Sequence, residues 1–285
     1  MVRCRQIQGD DLDPIVNLLT EGFPDRPRKY WTSGFARLAA REVPKDFPRF
    51  GYMLEDDGTP VGVLLLIFTG AAMGDDQASR FNVSSWYVQP AYRSQASLLV
   101  SMAMRRKGAT YLNTSPMSHT LPVLTAMGFR PLSRGQFLSM PALSRSRTGA
   151  RVIEVGPFSR MDHHPDQAEF ELLRAHAAQD CVSLIVREGE AWIPFVFLRR
   201  QIRYSPFRTL QLAYCRDTAD FARLAGVIGR FLLSSGHMLV ICDANGPVPG
   251  LVGHYFDGKS PKYFRGPVGP RINDLAFTEA IVFGP

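Results

Sequence analysis

The residues from Tyr87 to Leu99 have the composition of a phosphate-binding junction. An apolar, strand-like stretch ends at Pro90, and a helix is predicted from about residue 94 to residue 106, with apolar residues on one side. The first turn of a helix carries backbone N–H groups without intrahelical partners, and the helix dipole attracts anions to this end. Arg93 adds a cation suited to a pyrophosphate. The junction therefore predicts binding of a phosphorylated ligand.

His119 is the one histidine of the first half, and it lies in the loop after the predicted fifth strand. An imidazole in this place could act as a base or an acid, because its pKa lies close to neutrality. The alternative is an exposed loop histidine that caps the next helix. Of the two interpretations we favour the second, and no other residue is predicted to be catalytic.

Two further features of the second half have alternative explanations. Residues 162–166, DHHPD, contain metal-ligating side chains, but adjacent histidines point apart and a helix beginning nearby explains the acids equally well, so no metal is expected. The tract 245–270 is rich in Gly, Pro and aromatic residues and is long for a connection. It is either a functional loop or a packed surface loop, and we favour the latter. If the tract is a functional loop, its candidate substrate contacts are His254, Tyr255, Lys262 and Tyr263.

Composition and missing motifs exclude several classes of protein. The sequence has no GxSxG and no GxGxxG, which disfavours hydrolases and dinucleotide oxidoreductases. The net charge of +7 suits an acidic or phosphorylated ligand, but the basic residues are spread over both halves, which disfavours nucleic acid. No secretion signal, membrane-length apolar run or CxxC pair is present, so we expect a cytoplasmic protein with reduced cysteines and no membrane partner. For the oligomeric state, a homodimer is one of the alternatives that the sequence allows.

The elements that position the junction follow from hydrophobic periodicity. Residues 10–19 have apolar residues at helical spacing, which predicts a helix. Two apolar runs flank Asp57 and Gly58, and an Asp-Gly step is typical of a hairpin turn because it tolerates positive φ. A strand, a helix closed by Gly108, another strand and a short helix complete the first half.

The second half repeats this order of elements. Residues 135–150 are rich in Ser, Arg, Pro and Gly, and we interpret them as a linker between a domain at 1–134 and a domain at 151–285. At 285 residues the chain has the length of two domains. The second half contains, in order, a helix, a hairpin around Gly189, a strand, a helix capped by Asp217 or Thr218, and a strand. The repeated order predicts a duplicated α/β (α+β) fold.

The junction resembles the acyl-CoA-binding motif of the GCN5-related N-acetyltransferases, a strand with V-x-P followed by Y-R-G-x-G-x-G and a leucine-rich helix. The matching residues are Val88, Pro90, Tyr92 and Arg93. Gly128 and Phe129 resemble the segment that closes the family's domain, and the order of elements over residues 1–134 agrees. The resemblance implies two tandem domains of this family, each a mixed, largely antiparallel sheet flanked by helices.

The resemblance also implies a co-substrate and a reaction. Acetyl-CoA or another acyl-CoA would bind at the junction, and its acyl group would pass to an amine of a small molecule or peptide. The implied cofactor contacts are Tyr87, Val88, Arg93, Ser94, Gln95, Ala96, Ser97, Leu98 and Asn113. Asn113 is included because the family often has an asparagine after its fifth strand.

Departures from the motif support a rival interpretation. Ser94, Ala96 and Ser97 replace glycines that allow close approach to the pyrophosphate, and Leu124 stands where many members have a tyrosine general acid. The rival is a non-catalytic binding or interaction module with the same fold. In the second half, the corresponding junction carries Asp217 and Asp220, whose charge opposes a pyrophosphate, so we expect this copy to be degenerate.

Overall fold

The chain forms two compact units. A computed structural model describes residues 1–72, 75–145, 149–160, 165–201 and 207–284. Unit 1 comprises Met1–Arg130 together with Tyr263–Gly269 and Phe277–Gly284, and unit 2 comprises Pro131–Lys262 together with Pro270–Ala276. No sequence pattern predicts that two segments near the C-terminus belong to unit 1.

Unit 1 is a sheet with helices on both faces. Its elements are β1 (Val2–Gln6), α1 (Leu12–Gly22), α2 (Arg28–Ala40), β2 (Gly51–Asp56), β3 (Thr59–Ala72), β4 (Asp75–Val88), α3 (Ala96–Ala103), β5 (Thr110–Asn113), α4 (Leu121–Ala126) and α7 (Glu279–Val282). The strands lie in the order β1-β2-β3-β4-β5, and each pair is antiparallel except β4 with β5, which is parallel.

The β2–β3 hairpin forms where the sequence predicts it. Asp57 and Gly58 have φ angles of 46° and 82°, the left-handed pair that a tight hairpin turn requires. In β3, residues 63–67 are buried without interruption. Successive side chains of a strand point to opposite faces, so Val63 and Leu65 pack in the core with α1 and α2, whereas Leu64 packs in the core with α3.

Unit 2 repeats the arrangement of unit 1. Its elements are β6 (Arg130–Ser139), β7 (Ala150–Val155), α5 (Gln167–Ala177), β8 (Val182–Glu188), β9 (Ala191–Arg200), β10 (Arg208–Cys215), α6 (Thr218–Ser234), β11 (His237–Ala244) and β12 (Gly253–Arg265). The first residue of β6 and the last three residues of β12 belong to unit 1. The order β7-β8-β9-β10-β11 matches β1-β2-β3-β4-β5, and β10 with β11 is again a parallel pair. The predicted fold class is confirmed, and the repeated strand order agrees with the predicted duplication.

Strand β12 differs from the surface loop that we favoured for the tract 245–270. Residues 253–265 are extended, and Tyr263, Phe264 and Arg265 pair with β5 in unit 1. Gly258 and Ser260 have positive φ, at 69° and 47°, so the strand contains two local breaks. Its Gly and Pro content, which is typical of loops, hides the strand in the sequence.

Asp217 precedes α6 and caps its first turn. It is in extended conformation, and its carboxylate accepts a hydrogen bond of 2.9 Å from the Ala219 N–H. We expect Asp217→Ala to lower the free energy of unfolding by about 1 kcal/mol, because an unsatisfied N–H remains at the helix start. Urea denaturation measures this loss. Asp217→Asn is the matched control and should be nearly neutral, because asparagine caps as well; an equal loss in both variants would contradict the capping role.

Within the described ranges, every helix is too short or too polar to span a bilayer.

Candidate functional site

The parallel pair β4 and β5 separates into an opening that we call the unit 1 wedge. The two strands pair only over Arg80–Asn82 and Thr110–Leu112. Beyond Asn82, β4 continues to Val88, whereas β5 ends at Asn113. The wedge is the space that begins where this pairing stops.

A β-bulge in β4 accounts for the separation. The residues opposite Leu65 and Val63 of β3 are Ser84 and Tyr87, so β4 has one additional residue in this interval. Ser85 within it has a φ of 45°. A bulge bends its strand and increases the local twist, which turns the end of β4 away from β5.

The predicted phosphate junction follows β4 directly. Residues 90–95 form a 3-10 turn that leads into α3, and the side chains of Arg93, Ser94 and Gln95 are exposed. In the first turn of α3, Ala96 is half-buried, whereas Ser97 and Leu98 are exposed. The N-terminal end of α3 is therefore accessible from solvent, with an arginine beside it.

The sequence predicts backbone N–H groups without partners at this junction, but two of these N–H groups form hydrogen bonds within the chain. The Tyr92 N–H donates to the Gln89 carbonyl at 2.9 Å, and the Ala96 N–H donates to the Arg93 carbonyl. A 3-10 turn uses N–H groups that an open turn would direct at a ligand. Phosphate binding through these amides requires the turn to exchange its own hydrogen bonds.

Three side chains near the junction serve packing. Tyr87 covers the end of α1 and donates a hydrogen bond to Glu21 at 3.1 Å; burial and then the Glu21 carboxylate raise its pKa. Val88 and Leu124 are both buried in the core that contains α3. Leu124 is therefore a core residue without an acidic proton.

Other candidates from the sequence lie at different places. Asn113 ends β5 and pairs with Tyr263 of β12 in unit 1. His119 belongs to a 3-10 turn over residues 118–120, but its side chain lies outside the described residues, as do residues 162–164 of the DHHPD segment. In unit 2, Lys262 forms a buried ion pair with Asp243 at 2.7 Å, Tyr255 donates to Asp257 at 2.8 Å, and His254 packs against Phe256. No cluster of potential metal ligands exists among the described residues.

Glu279, the first residue of α7, contacts both strands of the unit 1 wedge. Its backbone N–H donates to Asn82 Oδ1 at 2.7 Å. Its carboxylate accepts hydrogen bonds from Ser84 on β4 and from Thr114 and Ser115 after β5, the Thr114 bond at 3.1 Å. Sequence reasoning missed this residue, since it is separated from these partners by 164 or more positions.

The corresponding wedge of unit 2 is filled by the chain itself. Strands β10 and β11 pair over Arg208–Gln211 and His237–Ile241. Past this pairing, the segment 270–276 forms hydrogen bonds to both strands. The Leu275 N–H donates to the Ala213 carbonyl at 2.7 Å, the Cys215 N–H to the Asn273 carbonyl at 3.2 Å, and the Asp243 N–H to Asn273 Oδ1 at 2.7 Å.

The charged groups beside the unit 2 wedge already form ion pairs or hydrogen bonds within the unit. Asp217 caps α6, and Asp220 forms an ion pair with Arg223 at 2.9 Å. Arg216 pairs with the buried Glu169, which also accepts a hydrogen bond from Tyr214 at 3.0 Å. Burial raises the pKa of Tyr214 well above its ordinary value.

A cationic cavity of about 410 Å³ lies at the C-terminal end of α3, away from the junction. Its charged lining residues are Arg105, Arg106, Lys107, Arg130 and Arg265. It is a second place in unit 1 where an anion could bind. An experiment on the junction must therefore distinguish binding at the junction from binding in this cavity.

Comparison with solved structures identifies the fold. No family model and no curated protein matches the sequence itself. The chain is similar to a GCN5-related N-acetyltransferase from Anabaena variabilis, with 10% identity, coverage of 93% of this chain and 72% of that chain, and a TM-score of 0.59. It is similar to one from Kribbella flavida, with 14% identity, 93% and 71% coverage and a TM-score of 0.55. Eis1 from Mycobacterium abscessus gives 11% identity, 96% and 74% coverage and a TM-score of 0.52. The chain therefore has the fold of the GCN5-related N-acetyltransferases, as its junction motif predicted.

Proposed function

We propose that unit 1 is an acyl-CoA-dependent N-acyltransferase and that unit 2 has no cofactor site. The observation that carries this proposal is the difference between the two wedges. In unit 2 the backbone of residues 273–275 occupies the hydrogen-bonding groups of β10 past the parallel pairing. In unit 1, the hydrogen bonds across the wedge among the described residues come from Asn82 and from the side chain and N–H of Glu279, which leaves β4 with room for an extended pantetheine arm.

The reaction needs little more than positioning. The acceptor nitrogen attacks the thioester carbonyl carbon, a C–N bond forms, and the C–S bond breaks with its electron pair passing to sulfur. The nitrogen then gives up a proton and the thiolate gains one, which yields an amide and CoA-SH. Because Leu124 offers no phenol, the thiolate would take its proton from the attacking amine or from water. Holding the two reactants together can supply a large part of the acceleration.

A non-catalytic module is the second candidate, and two observations favour it. Leu124 is buried in the core, and the amides of Tyr92 and Ala96 are engaged in their own turn. Such a protein would bind acyl-CoA weakly, or bind it without turnover.

Titration calorimetry with acetyl-CoA tests the proposal. We expect saturable binding with one site per chain and, at a concentration 100 times the Kd, a gain in stability of about 2.7 kcal/mol by thermal unfolding. Release of CoA thiol is then followed with a panel of amines: spermidine, a lysine-containing peptide and glucosamine. Binding without thiol release from any amine would favour the non-catalytic module, and no binding at millimolar acetyl-CoA would reject the cofactor site.

A further inference from the structure

We propose that Glu279 binds the acceptor as a protonated amine, which makes this carboxylate a specificity-determining residue of unit 1. This inference rests on the proposed function. Glu279 N–H is bonded to Asn82, the last residue of β4 that pairs with β5, so the residue sits where the wedge begins. A thioester held along the wedge would end close to this carboxylate.

The hydrogen bonds of the carboxylate leave one acceptor position unused. Oε1 receives the hydroxyls of Thr114 and Ser115, and Oε2 receives the hydroxyl of Ser84. An ionised carboxylate has about four lone-pair positions, two on each oxygen. The remaining position on Oε2 has no partner among the described residues, so it can accept a hydrogen bond from a ligand.

The described partners of this carboxylate are all neutral. They are three hydroxyl groups, and the neighbouring backbone N–H is bound by a side-chain amide. A half-buried carboxylate without a cation keeps most of its charge available, because hydroxyls offset its lost hydration without neutralising it. Glu279 is partly exposed, so an ammonium group can reach it.

The segment that carries Glu279 is anchored firmly enough to position it. Val282 and Phe283 are buried in the core with α1 and α2, and Arg37 donates a hydrogen bond to the Val282 carbonyl at 3.1 Å. A carboxylate held by its own backbone, by three hydroxyls and by this anchor has little freedom to lose on binding.

The charge of the acceptor follows from its chemistry. An alkylamine has a pKa near that of lysine, about 10.4, and is protonated at neutral pH. The carboxylate would collect this ammonium at the end of the wedge and orient its nitrogen towards the thioester carbon. The ammonium must lose one proton to water before it attacks, and the bond changes are then those of the proposed reaction.

Glu279→Gln is the variant that isolates the charge. The glutamine side chain can still accept from Thr114 and Ser115 and donate to Ser84, so the C-terminal segment keeps its tether. For an amine that releases CoA thiol with the wild-type protein, we expect KM to rise about tenfold, the equivalent of about 1.4 kcal/mol. The KM for acetyl-CoA and the Tm should stay unchanged. With methoxyamine, which is neutral at pH 7.5, the rise in KM should be much smaller than with the charged amine, because only the ion pair is lost.

A second variant provides the control. Glu21→Gln removes the same charge from unit 1 at the hydrogen bond to Tyr87, and it should leave the KM for the amine unchanged. If Glu279→Gln leaves that KM unchanged, or weakens the charged and the neutral nucleophile alike, Glu279 is only a tether and the inference is overturned. If the wild-type protein binds no acetyl-CoA, or no amine releases thiol, the proposed function fails first, and the inference fails with it.

Discussion

Replacement of Ser97 by aspartate should weaken acetyl-CoA binding about 30-fold while leaving the protein at least as stable as the wild type. Ser97 is the second residue of α3 and is exposed. A carboxylate in the first turn of a helix is stabilising by about 0.3–1 kcal/mol, so lost binding could not be attributed to unfolding. The same carboxylate would repel a pyrophosphate at the end of α3. At a separation of about 4–5 Å in partly screened surroundings this costs about 2 kcal/mol. Calorimetry measures the Kd, and thermal unfolding measures the stability.

Two controls assign this effect to the junction. Ser97→Ala removes the hydroxyl without adding charge and should change the Kd less than threefold. Arg105→Glu reverses a charge in the cationic cavity and should leave the Kd unchanged. Loss of binding in Arg105→Glu with retention in Ser97→Asp would mean that the phosphates bind in the cavity, and the proposed junction would be wrong.

The features predicted well from the sequence are those determined by nearby residues. The Asp57-Gly58 turn depends on two positive φ angles, and the start of α6 depends on one carboxylate that reaches an N–H two residues away. The duplicated topology follows because each unit repeats the same succession of such local signals.

The features that the sequence hides depend on long-range contacts. Glu279 lies in a helix of four residues near the C-terminus, and its partners on β4 are 195 and 197 positions away. The filled wedge of unit 2 is also not predicted by the sequence, because no local pattern around Asn273 indicates its hydrogen bond to Asp243. The sequence also does not predict the direction of the Tyr87 side chain. Tyr87 belongs to the junction in sequence, but its ring packs on α1.

Removal of the Phe283 ring should produce a large loss of stability. Phe283 is 6% exposed and packs in the core with α1 and α2, with ring centroids 5.8 Å from both Trp31 and Phe35. Phe283→Ala should lower the free energy of unfolding by about 3–5 kcal/mol, because it leaves a cavity between these rings. Urea denaturation measures the loss. Phe158→Ala is the control: Phe158 is 89% exposed, and its truncation should change stability by less than about 0.5 kcal/mol.

A second substitution tests whether the C-terminal segment occupies this position. A Cβ added at Gly34 in α2 would lie 1.9 Å from the Phe283 ring, so Gly34→Ala should destabilise the wild-type protein by about 1–3 kcal/mol through overpacking. In the Phe283→Ala background the obstruction is gone, and the same substitution should become stabilising by up to about 1 kcal/mol, since alanine is the better helix former. This reversal of sign depends on direct contact between the two residues. If Gly34→Ala had the same effect in both backgrounds, Phe283 would not lie on α2, and the anchor that positions Glu279 would have to be sought elsewhere.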